Sequence, residues 1–346
     1  MFGERLKAAR KMAGLSLPQL ANNLGDISKQ SLSNYENGKR KPDSKILIRL
    51  AKELRVKPDF FVRENTIQLQ NFEYRKKAKL GKQDKEMIEE KSKDQLERYL
   101  ELENLLGIKS KFNNPIRDFQ LRGIEDVEAA AQYLRDKWEL GLNPIKNLIE
   151  TIEEREIRVL QIEGKKEFDG LAGFSGDTPL IVVNKNIDDI VRKRMTVAHE
   201  LGHLLLKIPK GLILKDKEKY CFRFAGAFLI PRDVMINELG EKRNQITMNE
   251  LVHLKNEYGI SIQGLVRRAK DLEIISESKF KNFCIKVKKS GWEKYELGNY
   301  SGDERPIRKN NLIFRAITEE MISISKAASL ANKTVADLQE EMQVLL

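Results

Sequence analysis

Apolar positions in the first sixty residues recur at the spacing of short amphipathic helices. Leu6 and Ala9, with Arg10 beside them, share one face of the first segment, and Gly14 supplies a left-handed stop before Ser16, a good N-cap for the next. Pro18 sits in the first turn of that second segment, where its missing N–H is no loss, and Leu17, Leu20, Ala21 and Leu24 form a stripe that Gly25-Asp26 breaks. From Ser28, a further N-cap, the run to Gly38 turns Leu32 and Tyr35 inward and Lys29, Gln30, Ser33 and Asn34 outward. Residues 44–54 make a fourth helix with Ile46, Leu47, Leu50, Ala51 and Leu54 inside. An all-helical domain over 1–63 is expected.

The pattern then changes. Lys and Glu dominate 75–109, and Ile88, Leu96, Leu100 and Leu105 are spaced loosely for one helix face, so 64–115 reads as a charged connector built on a long solvated helix. A dimerisation seam through Leu96, Leu100, Leu102, Leu105 and Leu106 is the alternative, although it covers too few heptads to specify a coiled coil. Asn113-Asn114-Pro115 punctuates the chain before a helix over 123–138. The β-branched run 180–184 and residues 156–163 predict strands, which makes 116–236 an α+β domain. Beyond it, 248–259, 261–276 and 310–342 are helical in period, with N-caps at Ser261 and Thr334, and 237–346 is expected to be mainly helical. The pair of helices around Gly259 fits a second helix-turn-helix-like unit or, more simply, a cover over the preceding helices. Trp292, Tyr295 and Tyr300 fit a ligand site or a hairpin packed on those helices.

Composition narrows the function classes. With 346 residues, 40% of them apolar and 33% charged, the chain can build two or three cores. It offers no run near the ~20 apolar residues of a membrane span. The charged N-terminus lacks an apolar secretion segment, and two isolated cysteines make no disulfide framework, so a cytoplasmic protein with no membrane partner is expected. Net charge is +11, and most of the excess lies in residues 1–63, which hold 14 Lys and Arg against 6 Asp and Glu. Such a localised surplus points to a polyanionic partner.

The N-terminal residues RLKAARKMAGLSLPQLANNLG, SKQSLSNYENGKRKP and LIRLAKELRVKPDFFV resemble the Cro/repressor-like helix-turn-helix (XRE) family. The resemblance implies binding to a double-stranded DNA operator, with Lys29, Gln30, Ser31, Ser33 and Asn34 facing the major groove and Lys39, Arg40 and Lys41 near phosphate. It also suggests a homodimer, although no segment fixes the symmetry. Independently, short polar side chains and amides on an exposed helix face suit base-edge hydrogen bonding, and flanking cations supply salt-dependent attraction.

Two of the three histidines fall in His199-Glu200-Leu201-Gly202-His203, inside an apolar run from Met195 to Leu206. On a helix, imidazoles at i and i+4 lie about 40° apart around the axis and about 6 Å along it, close enough to share one zinc ion. Glu200 beside them is placed to take a proton from a metal-activated water and pass it to a leaving amine. A catalytic zinc takes three protein ligands, and Glu218, heading the buried face of 218–231 with Cys221, Phe222 and Ala225, is the best third donor. Asp216 and Cys221 compete with it. His253 reads as a surface or packing histidine. Tyr220, Arg192 and Arg194 lie near enough to assist an oxyanion, but a helix-end aromatic and surface cations balancing Asp188 and Asp189 account for them as well.

DDIVRKRMTVAHELGHLLL and EKYCFRFAGAFLIP resemble the ImmA/IrrE family of zinc metallopeptidases. The resemblance implies a zincin-like (gluzincin) domain with His199, His203 and Glu218 as zinc ligands and Glu200 as base. It also implies a specific substrate, a transcriptional repressor or an antitoxin or toxin partner. Many relatives carry Ala-Asn or Ala-Asp where Cys221-Phe222 stand here. The chain is therefore expected to be multidomain and mainly α, a regulator with zinc-dependent endopeptidase activity. Its rival is a DNA-binding repressor or antitoxin-like regulator whose peptidase fold only binds a partner.

Overall fold

The N-terminal residues form four short helices, the last three of which carry their own start signals. In α1 (Phe2–Met12), α2 (Leu17–Leu24), α3 (Lys29–Glu36) and α4 (Ser44–Glu53), Leu6, Leu20, Leu32 and Leu50 point to one core, closed by Phe60 and Phe61 in a 3-10 turn over Pro58–Val62. Ser16 caps α2 in a reciprocal box with Gln19, Ser28 accepts from the Ser31 amide at 3.1 Å, and Asp43 accepts from Ile46 at 2.8 Å. The computed structural model describes residues 2–63, 67, 69–74, 80–109, 111–291 and 296–345, so Trp292 and Tyr295 lie outside the described residues.

A mixed sheet organises the middle of the chain. It comprises β1 (Gln70–Tyr74), β2 (Arg158–Ile162), β3 (Gly170–Ser175) and β4 (Thr178–Asn184) in the order β1-β3-β4-β2, with β2 parallel to β4 and the other pairings antiparallel. The strands over 156–163 and 180–184 lie where periodicity places them. By contrast β3, with the sequence GLAGFS, and β1 carry no β-branched run to announce them. Alternation along β4 splits the apolar residues between two layers: Leu180 and Val182 face one side, Ile181 and Val183 the other.

The first side is covered by α5 (Lys82–Leu105), whose Ile88, Leu96 and Tyr99 pack on the sheet. The connector helix is therefore not solvated. Its charges enter the interior paired: Arg98 bonds Asp94 at 3.0 Å, and Glu103 takes Arg158 at 2.7 Å together with Arg308. Leu96 and Leu102 are fully buried within the chain, which removes them from any seam with a second copy. The N-terminal domain docks on the same helix through Arg5–Glu97 at 2.6 Å.

On the other side lies the largest core. It is built from α6 (Asp126–Lys137), α7 (Leu148–Glu153), α8 (Ile190–Leu205), α9 (Leu214–Leu229), α10 (Arg232–Leu239), α11 (Met248–Tyr258) and α12 (Ile262–Asp271), and runs from Ile116 to Ile275. Helices α11 and α12 thus cover the preceding ones and share their core, which extends beyond residue 236. A further helix, α13 (Glu277–Ser290), leans on it through Phe280 and Phe283. Helices α14 (Arg308–Thr318), α15 (Ile324–Ala331) and α16 (Val335–Leu345) form a satellite core around Leu102. The fold is mainly α, with sixteen helices among the described residues, none of them long and apolar enough to cross a membrane.

Candidate metal centre

Asp189 starts α8 by accepting from the Val191 and Arg192 amides at 2.9 and 3.2 Å, and Val197, Ala198, Leu201 and Leu205 drive one face of the helix into the core. Two glycines set how closely its neighbours approach. A Cβ at Gly202 would stand 3.1 Å from Phe224 Cδ1 and 3.3 Å from Cys221 Cα, so the bare backbone there lets α9 lie against α8. A Cβ at Gly170 would meet Thr196 Cγ2 at 2.9 Å and Glu200 Cγ at 3.2 Å, so the start of β3 makes room for the Glu200 stem.

That approach brings three donors together. His199 and His203 Nε2 are 3.1 Å apart, and the two carboxylate oxygens of Glu218 lie 3.2 Å from each of them in turn. Two imidazoles and a carboxylate are a zinc donor set, and ligands about 2.0–2.1 Å from a tetrahedral zinc stand roughly 3.3 Å from one another, so the residues fit the ion. His199 and Glu200 are wholly buried, whereas Glu218 keeps about a fifth of its side chain exposed, so the cluster opens on that side. Burial opposes charge on Glu218, but hydrogen bonds with both imidazoles prevail and hold its carboxyl far below the usual range. Burial likewise disfavours charge on His203, yet its contacts with Cys221 and Glu218 outweigh it and raise the imidazole to about 11. Burial pushes the Cys221 thiol up, and Cys221 is not among the residues whose donor atoms converge. Asp216 pairs with Lys219 at 2.7 Å, and the metal-capable cluster among the described residues is His199, His203 and Glu218.

Other residues singled out from the sequence lie elsewhere. His253 is exposed and faces Glu257 at 3.4 Å. Arg192 reaches Asp169 rather than the cluster, and Tyr220 is core. Arg194 is not a surface cation: it is fully buried, pairs with Glu304, and donates to the carbonyls of Ile145, Tyr258 and Gly259, with Tyr300 stacked on it at 4.8 Å. A desolvated guanidinium requires such a ring of acceptors. Phe222 is 41% exposed rather than part of the buried face, and its ring lies 4.3 Å from that of His199. Only the departure from Ala-Asn or Ala-Asp at Cys221-Phe222 hinted at a special position there.

On α3, Lys29 and Gln30 are exposed and Ser31, Ser33 and Asn34 half-buried. Gln30 Nε2 donates to Asn34 Oδ1 at 3.3 Å, which sets two amides one turn apart on the same face. Lys39, Arg40 and Lys41 follow in an exposed turn, with no ion pair among the described residues.

The helix-turn-helix module and the domain that carries the His/Glu cluster both have counterparts among known proteins. Residues 6–61 match the family model described as Helix-turn-helix, and 152–270 match a peptidase family model described as IrrE N-terminal-like domain. The chain thus joins an XRE-type helix-turn-helix domain to an IrrE-like peptidase domain. It is 44% identical over 63 residues to the SPbeta prophage-derived uncharacterized HTH-type transcriptional regulator YonR of Bacillus subtilis (strain 168), covering 18% of this chain and 57% of that protein. It is 34% identical over 70 residues to the HTH-type transcriptional regulator ImmR of the same organism, covering 20% of this chain and 54% of that protein. The chain spans about half the length of these curated relatives.

Proposed function

We propose that this protein is a cytoplasmic transcriptional regulator that reads operator DNA through α3 and cleaves a specific repressor or partner protein at a zinc centre held by His199, His203 and Glu218. The observation that carries the reading is the convergence of two imidazole nitrogens and a carboxylate at 3.1–3.2 Å, next in sequence to a wholly buried glutamate on the same helix. Zinc bound by such a set supplies a Lewis acid for a peptide carbonyl and lowers the pKa of water. Glu200 then serves as the base, taking a proton from the attacking water and delivering it to the departing amine. Glu218, at the exposed side of the cluster, leaves room for a peptide to approach beside it.

At the other end of the chain, Gln30 and Asn34 present amides suited to base edges, with Lys39, Arg40 and Lys41 set beside them for phosphate. The DNA domain concentrates the peptidase where a DNA-bound substrate resides. The test compares protein N-termini, by mass spectrometry, in cells expressing the wild type or Glu200→Gln. The variant retains zinc, because all three ligands remain, and loses a cleavage that the wild type performs. Identical sets of N-termini would leave the peptidase fold as a partner-binding module.

A further inference from the structure

Beside the metal centre, a groove of about 880 Å3 runs between α9, α12 and α13. Its floor is apolar: Met195 comes from the metal-bearing helix, and Phe280, Phe283 and Val287 come from α13. Phe222 lines this groove and faces the His199 ring, so the groove lies one side chain away from the candidate zinc ligands. A void of this size, floored with aromatic rings beside the candidate metal centre, falls in the range of ligand-binding clefts and has room for a short stretch of peptide.

Cations outnumber acids along the groove. Six lining residues are Lys or Arg and three are acidic. Five of these six cations are already engaged: Arg223 and Arg268 with Glu128, Lys219 with Asp216, and Arg267 and Lys270 with Asp271. Lys288 has no ion pair among the described residues. It belongs to α13, which carries five lysines against the single acidic residue Glu277, with Lys279, Lys281 and Lys289 exposed. The groove therefore couples an apolar floor to the edge of a lysine-rich helix, α13, from which Lys288 enters the lining.

We propose that this groove seats the substrate segment, and that the segment presents apolar side chains flanked by Asp or Glu. The proposal rests on the peptidase reading for the word substrate, but its recognition chemistry stands on the groove alone. Nucleic acid is the other polyanion such lysines attract, yet a phosphate backbone makes no use of a floor of Met195, Phe280 and Phe283.

The test measures binding with the full-length Glu200→Gln protein, so that the probe survives. Two fluorescent twelve-residue peptides share Leu and Phe positions, one with Asp and Glu between them and the other with Lys. A labelled DNA duplex serves as the third probe. The acidic peptide should bind at least ten-fold more tightly than the basic one at low salt, with the difference shrinking as salt rises. Lys288→Glu with Lys289→Glu should weaken the acidic peptide roughly ten-fold, and Phe283→Ala should weaken both peptides, with zinc content unchanged throughout.

Equal affinity for the two peptides, no binding of either, or indifference of the acidic peptide to the lysine reversals overturns the proposal. Reversals that weaken the duplex instead assign these lysines to nucleic acid and overturn it equally. A protein that binds the acidic peptide, yet whose wild type cleaves nothing, refutes the catalytic reading and leaves this one standing.

Discussion

Glu304 and Arg194 meet with neither side chain exposed, and the same carboxylate accepts the Leu148 and Ile149 amides at 3.0 and 2.9 Å in the first turn of α7. Glu304→Ala leaves the guanidinium with no counter-ion, only the Tyr300 ring and backbone carbonyls at 2.8 Å to Ile145, 3.2 Å to Gly259 and 3.3 Å to Tyr258, and leaves two helix-end amides without their acceptor. Removing one partner of a buried pair costs about 3–5 kcal/mol. An exposed i,i+4 pair such as Arg315–Glu319 is worth about 0.3–0.5 kcal/mol. Urea unfolding followed by far-UV circular dichroism should therefore show a loss of about 4 kcal/mol for Glu304→Ala and below about 0.5 for Arg315→Ala, read from midpoints at constant slope. Arg194→Met combined with Glu304→Leu removes both charges and should recover most of the loss. A loss under about 1 kcal/mol for Glu304→Ala, or a double variant no more stable than the single one, would refute the reasoning.

Three further predictions follow from other sites. Burial pushes Glu153 up to about 7, so its folded state holds a proton more tightly than the unfolded chain, and the stability this brings is lost as pH rises from about 4.5 through 7. Glu153→Gln removes that dependence, and between pH 5 and pH 8 the variant should gain roughly 2–3 kcal/mol on the wild type; parallel stability curves would contradict this. Gly202→Val places carbon against the Cys221 backbone, so α9 must retreat with Glu218; a chelator competition should show zinc affinity reduced at least ten-fold, and unchanged affinity would mean that the close approach is dispensable. Gln30→Ala with Asn34→Ala should relax sequence preference on DNA while leaving the slope of affinity against salt nearly constant, whereas an altered slope would place these amides on phosphate.

The parts legible in the sequence are those set by local interactions. Ser16, Ser28 and Ser261 cap helices with amides three residues away, and the four-residue spacing of His199 and His203 fixes their common face, so both could be read from short windows. The parts that escaped depend on distant partners. In α5, the charged residues Asp94, Arg98 and Glu103 suggest solvent, yet Glu103 is buried because Arg158, 55 residues on, and Arg308, 205 residues on, neutralise it. Arg194 looked like a surface cation for the same reason, since its counter-ion lies 110 residues downstream. Strand β3 went unseen because Gly170, at its start, serves the approach of α8 rather than strand propensity. Phe222 was misplaced because helical spacing alone does not say where a neighbouring helix ends and a groove begins.

Zinc stoichiometry tests the central claim most directly. Elemental mass spectrometry of the gently desalted wild type, beside Glu218→Ala and His203→Ala, should give close to one zinc per chain for the first and a large fall in both variants, with circular dichroism showing that each remains folded. A wild type that stays empty after zinc supplementation, or variants that retain the metal in full, would contradict the three-ligand centre.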